Sequence, residues 1–199
     1  LAKKGITAFV LKYRLFPTAP SLDDFAAWMN RPRPAPTKSD DASKTNAPAP
    51  VAQMDLSNQL ADAEAAYAMI IKNANEWGVD NQRIGMIGFS AGAGLTMHAT
   101  LNSKTMKLAF IGPIYGGMGP VKVPENAPPM FNVIASDDFL FNAQFGVIDS
   151  WFKARRPVEF HLYQNGGHGF GLGNPNRTSN KWFDAFIHWL DVNKFLVVK

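Results

Sequence analysis

Five short runs rich in apolar and β-branched residues, at 6–13, 83–87, 108–114, Met130–Ala135 and Val158–Tyr163, constrain the fold more than any other feature of this sequence. Several are apolar on successive residues rather than on alternate ones, which suits strands buried on both faces of a parallel sheet. Between them, apolar residues return at helical spacing. Leu56, Leu60, Ala63, Tyr67, Ile70, Ala74 and Trp77 form one stripe, with Gly78 as its stop. Phe141, Phe145, Ile148 and Phe152 form a second, and Trp182, Phe186, Trp189 and Leu190 a third. This alternation predicts an α/β fold with a doubly wound, mostly parallel sheet. The aromatic stripes are expected to pack against that sheet rather than to hold a cofactor.

With 199 residues and 46% hydrophobic content the chain can bury one sizeable core, so residues 1–199 are expected to form a single domain. The formal net charge is +4, but basic residues occur singly or in pairs such as Lys3-Lys4 and Arg155-Arg156. That scatter describes a solvated surface and argues against nucleic acid as a partner. Without cysteine, neither a disulfide framework nor a thiolate site can form. No apolar run approaches the roughly 20 residues needed to span a bilayer, so a soluble protein with no membrane partner is expected. Leu1-Ala2-Lys3-Lys4-Gly5 reads as the last turn of a helix closed by glycine, with cations at its negative end. The chain therefore reads as N-terminally truncated.

Residues 31–50 break the pattern. They hold five prolines and a polar stretch from Thr37 to Asn46, without apolar periodicity. An exposed insertion is expected there, with a substrate-covering lid as the functional alternative.

Chemistry concentrates where the run at 83–87 passes through Gly88-Phe89-Ser90-Ala91-Gly92 into a segment of helix-compatible composition. In such a strand-to-helix turn the serine hydroxyl is lifted above the sheet, and side chains at Gly88 and Gly92 are expected to collide with neighbouring backbone. The nearby glycines do not make the Gly-x-Gly-x-x-Gly of a dinucleotide site. A serine hydroxyl is a poor nucleophile near neutral pH and requires a base, itself held by an acid. Of four histidines, His98 lies two helical turns beyond Ser90, while His161 and His188 fall inside a strand and a helix. His168 sits in the loop Gln164-Asn165-Gly166-Gly167-His168-Gly169 after the last strand, where an imidazole can reach over the sheet edge. For the acid, Asp137 and Asp138 follow the strand Met130–Ala135, at the carboxyl edge where catalytic groups of open α/β sheets gather. Asp138 is favoured, with Asp137 solvated or contacting backbone. The order Ser90, Asp138, His168 is that of α/β hydrolases.

The elbow, Glu76-Trp77-Gly78-Val79-Asp80-Asn81-Gln82-Arg83-Ile84-Gly85, Ser136-Asp137-Asp138 and Gly166-Gly167-His168-Gly169-Phe170 together resemble the α/β-hydrolase esterases. Within them the resemblance is to the acetyl-xylan or "xylanase B-like" branch, and Val10-Leu11-Lys12-Tyr13-Arg14-Leu15 looks like the strand after that branch's first helix. The resemblance implies deacylation of a small ester, such as an acetyl group on a sugar, by a secreted or periplasmic enzyme without cofactor or metal. Ser90 would attack, His168 would move the proton, Asp138 would steady the imidazolium, and the Ala91 N–H would be one oxyanion donor. Family members supply further donors from a His-Gly-Gly-Gly or Pro-Gly-Gly-Gly loop that nothing here matches. The open sheet edge is accordingly expected to pair with a separate N-terminal piece or with a second copy. Two other readings stay open: a non-catalytic fragment or binding module that keeps the triad, and a serine peptidase on the same fold.

Overall fold

The sheet of the computed structural model, which describes residues 1–15, Ser21, Asp23, 55–172 and 174–196, has four parallel strands. These are β1 (Met86–Phe89), β2 (Ile111–Ile114), β3 (Met130–Ala135) and β4 (Val158–Tyr163), adjacent in sequence order. Every residue of β2 and β3 is buried, as expected of strands covered on both faces. Phe89 is opposite Ile114, Ile114 opposite Val133, and Ala135 opposite Tyr163, so the four strands end along one edge. Residues that follow each strand therefore meet there, although they are far apart in the chain.

Among the described residues the α-helices are α1 (Ser57–Lys72), α2 (Ala74–Trp77), α3 (Ala91–Asn102), α4 (Gly146–Lys153) and α5 (Trp182–Val192). They cover both faces of the sheet. Gly88 of β1 abuts the first turn of α3, while its neighbour Phe89 turns the other way, to within 6.0 Å of the Trp182 ring of α5. Phe131 of β3 packs on the same side against Phe186 and Trp189, at 5.2 and 5.6 Å between ring centroids. The α5 stripe is as expected, with Trp182, Phe186, Trp189 and Leu190 all buried. Full burial of each such side chain contributes about 1.5–3 kcal/mol. Gly78 ends α2 in the left-handed conformation, φ 64°, and Gly5 closes the short 3-10 turn Ala2–Lys4 in the same way, φ 73°.

Three expectations are corrected. Residues 6–13 form no strand: Phe9 is exposed and Val10 is 97% exposed. A strand needs a neighbour to accept and donate its ladder bonds, and no described strand pairs with this run. It is instead fastened to the helices, by Phe9 against Trp77 at 5.4 Å and by a bidentate Arg14–Asp62 pair at 2.8 to 3.0 Å. The second stripe is displaced by one residue. Helix α4 begins only at Gly146, so Val147 and Trp151 face the sheet, four apart, while Phe152 is 74% exposed. The Trp151 indole N–H donates to the Pro128 carbonyl at 3.0 Å, a fixed partner that an apolar count cannot reveal. The run at 83–87 shifts towards the C-terminus, to Met86–Phe89, and that at 108–114 narrows to Ile111–Ile114, although Ala109 N–H already donates to Ile84 at 2.8 Å. The expected insertion at 31–50 lies outside the described residues.

Candidate active site

Ser90 ends β1 and caps α3 with φ 53°, ψ −114°, a conformation that a non-glycine residue adopts at a cost of about 1–3 kcal/mol. The sharp turn aims its hydroxyl away from the sheet, and Ser90 N–H donates to Ile114 at 3.0 Å, which holds the turn against β2. Gly88 permits the turn, because a Cβ there would strike the Gly92 carbonyl and the Thr96 hydroxyl. The expected collision at Gly92 is corrected: apart from its chain neighbours and the backbone of its own helix, no described atom lies within 4 Å of a Cβ placed there. Gly92 matters through its backbone, which occupies the space that Gly88 leaves open. Ala91 is the first residue of α3 and directly follows Ser90, so its N–H belongs to the first-turn donors that a helix leaves without an intrahelical partner.

The structure brings together the three side chains expected from the sequence. The Ser90 hydroxyl lies 2.7 Å from His168 Nε2, and His168 Nδ1 lies 2.8 and 3.0 Å from the two oxygens of Asp138. An ionised carboxylate only accepts hydrogen bonds, so Asp138 fixes the proton on Nδ1 and leaves Nε2 free to accept from Ser90. The Asp138 side chain is fully buried, and its remaining capacity is used by Leu140 N–H at 2.8 Å. His98 pairs with Asn102 on α3 and His161 with Glu159 on β4, both away from Ser90.

Asp137 points elsewhere. Its Oδ1 accepts from Gly166 N–H at 2.9 Å and Gly167 N–H at 2.7 Å, the backbone just before His168. The Gly167 bond, with help from that of Gly166 and from the charge of Arg177, holds the Asp137 carboxyl below the usual carboxylate range. Asp137 is thus both exposed to solvent and in contact with backbone, the two roles expected for it.

Two aromatic residues were not singled out in the sequence. Tyr115 directly follows β2 with φ 39°, buried, and sets its ring edge-on to the His168 imidazole at 5.3 Å and to Phe170 at 4.7 Å. Phe139 lies against the same imidazole at 4.6 Å. Burial pushes the Tyr115 hydroxyl above its ordinary range, although a hydrogen bond from the Gly171 backbone opposes the shift. The available signal was position: Tyr115 and Phe139 follow strands at the same edge as Ser90 and Asp138. A cavity of about 320 Å³ adjoins the base, lined by Gly166, His168, Gly169, Phe170, Asn174 and Arg177. Among the described residues no three His, Asp or Glu side chains are grouped to hold a metal ion, and no helix is long and apolar enough to cross a membrane.

The family model described as BD-FAE matches residues 49–116, which include the elbow. No curated protein matches the sequence. Among solved structures, an α/β hydrolase enzyme from a Medee basin deep-sea metagenome library is similar with a TM-score of 0.63 and 27% identity, over 74% of this chain and 68% of that one. An acetyl ester-xyloside bifunctional hydrolase from Caldicellulosiruptor lactoaceticus is similar with a TM-score of 0.59 and 20% identity, over 70% and 67%. Esterase 2 of Thermogutta terrifontis, phosphoramylated by tabun, is similar with a TM-score of 0.57 and 19% identity, over 72% and 67%.

Proposed function

We propose that this chain, which has the α/β-hydrolase fold and resembles esterases of that fold, hydrolyses carboxylic esters through an acyl-enzyme on Ser90. The observation that carries the reading is the unbroken line of hydrogen bonds from the Ser90 hydroxyl through His168 to the buried Asp138.

In the reaction, His168 Nε2 takes the Ser90 proton as Oγ adds to the ester carbonyl, and the imidazolium is balanced by Asp138. Negative charge moves to the former carbonyl oxygen, which the Ala91 N–H stabilises as one oxyanion donor; removing a single such donor typically costs about 10²–10³ in turnover. The tetrahedral species collapses, the alcohol leaves with the proton from Nε2, and the acyl group remains on Ser90. Water then repeats the sequence with His168 again as base, releasing the acid and restoring the serine.

The substrate class is a small ester, with an acetylated carbohydrate favoured. A cavity adjoins His168, and the Asn174 and Arg177 side chains in its lining carry donors that suit hydroxyl oxygens. A carbohydrate ester fits a secreted or periplasmic enzyme. The test is hydrolysis of p-nitrophenyl acetate and of acetylated xylo-oligosaccharides, with peptide amides as the contrast. Turnover of the esters with no cleavage of amides is expected; cleavage of amides in preference to esters would overturn the ester reading.

A further inference from the structure

Asp137 and Asp138 are neighbours in the chain, yet they act on different parts of one residue. Asp138 holds the His168 ring, whereas Asp137 receives the N–H groups of Gly166 and Gly167, two residues and one residue before His168. The loop that carries His168 has a second fastening from behind. Arg177 donates from Nη1 to the Gly166 carbonyl, and Thr178 exchanges bonds with Asn165, its N–H to Asn165 Oδ1 at 2.7 Å and its hydroxyl to the Asn165 carbonyl at 3.0 Å. Gly166 sits in a tight space, since a Cβ there would lie 2.9 Å from the Ala135 Cβ and from the Ser179 hydroxyl. Gly167 takes φ 64°, so the chain reverses direction just before His168. Without the carboxylate, two adjacent amide N–H groups on the β3 side of this reversal would lose their acceptor.

We infer that Asp137 is a positioning residue for the base: it pins the Gly166-Gly167 backbone so that His168 Nε2 stays within hydrogen-bond reach of Ser90. This rests on the proposed role of His168 and deepens it. A carboxylate suits the task because one oxygen can accept two charge-assisted bonds at 2.7 and 2.9 Å, which neither water nor a hydroxyl fixes to the end of β3. The chemistry needs such a pin, because small misplacements of a catalytic group cost up to about 10² in rate.

The experiment compares Asp137→Ala with Asp137→Asn, whose amide oxygen can still accept both bonds. Turnover of p-nitrophenyl acetate is expressed per active site titrated with a fluorophosphonate, so that unfolded protein is not counted. Asp137→Ala should lose about tenfold or more in kcat with KM within about twofold, and Asp137→Asn should recover to within about threefold of the parent. A second readout does not depend on turnover: amide hydrogen exchange at Gly166 and Gly167 should accelerate at least about tenfold in Asp137→Ala and be restored in Asp137→Asn. Unchanged kcat per titrated site in Asp137→Ala, or unchanged exchange at both glycines, would overturn the inference. If the parent itself neither labels nor turns over, the hydrolase reading fails and the exchange measurement alone decides the loop contact.

Discussion

Residues 6–13 and strand β3 are both short, apolar and free of glycine and proline, yet β3 buries all six of its residues while Val10 is 97% exposed. Neither hydrophobicity nor β propensity separates them. What differs is the neighbourhood: β3 pairs with β2 on one side and β4 on the other, and α5 covers its Phe131 face. The first run has the ring contact of Phe9 to Trp77 and the packing of Ile6 against the core, and Arg14 just after it pairs with Asp62. An apolar run is therefore only a candidate strand, and its partners decide. The same partners assemble the candidate site, because β3 leads to Asp138 at the edge where β1 leads to Ser90 and the loop after β4 brings His168.

This contrast predicts where substitution matters. The largest effect is expected at the edge itself: Ser90→Ala or His168→Ala should lower kcat/KM for p-nitrophenyl acetate about 10⁴-fold or more, with circular dichroism and melting temperature close to the parent. Asp138→Asn should lose up to about 10⁴-fold in kcat, since an amide can present a donor to Nδ1 and favour the wrong tautomer. Within the sheet, Phe131→Ala should cost about 3–5 kcal/mol in urea unfolding, as it opens a void beneath Phe186 and Trp189. In the first run, Val10→Ala should stay within about 0.5 kcal/mol of the parent. A loss at Val10 as large as that at Phe131 would mean that residues 6–13 are buried in solution and would break the comparison.

The smallest effect concerns the ion pair. Hydrogen bonds from Arg14 hold the Asp62 carboxyl below its ordinary range, so the folded state binds this proton less readily than the unfolded chain. Its contribution is present above the ordinary carboxylate pKa of about 3.9 and is lost as pH falls through the lower folded value. Carbon-13 titration of Asp62 should show the depressed midpoint, and Arg14→Ala, which keeps the backbone N–H bond to Asp62, should raise it towards the ordinary range with little change in melting temperature.

The side chains of the candidate site were legible because each announces itself locally. Gly88 and Ser90 define a turn that few other sequences can make, His168 lies among glycines, and Asp138 ends a run of apolar residues. Asp137 was legible as to type but not as to partner, because its bonds run to Gly166 and Gly167, across the sheet edge and far along the chain. Tyr115 escaped notice for a related reason: its ring matters only because Phe170 and His168 are brought beside it from another loop. The stripe through Phe152 failed by one residue because the start of α4 is fixed by Gly146 packing against Pro120, a contact absent from any period count. The parallel α/β architecture followed from alternation, whereas the order of the strands and the fate of residues 6–13 depended on neighbours that alternation does not specify.

The most direct test of Ser90 as an activated nucleophile is reaction of the folded chain with a fluorophosphonate, followed by intact-mass and peptide mass spectrometry. One adduct per chain on the peptide that contains Ser90 is predicted, absent in Ser90→Ala and slowed by orders of magnitude in His168→Ala. A folded parent that gains no adduct, or an adduct that persists in Ser90→Ala, would contradict it.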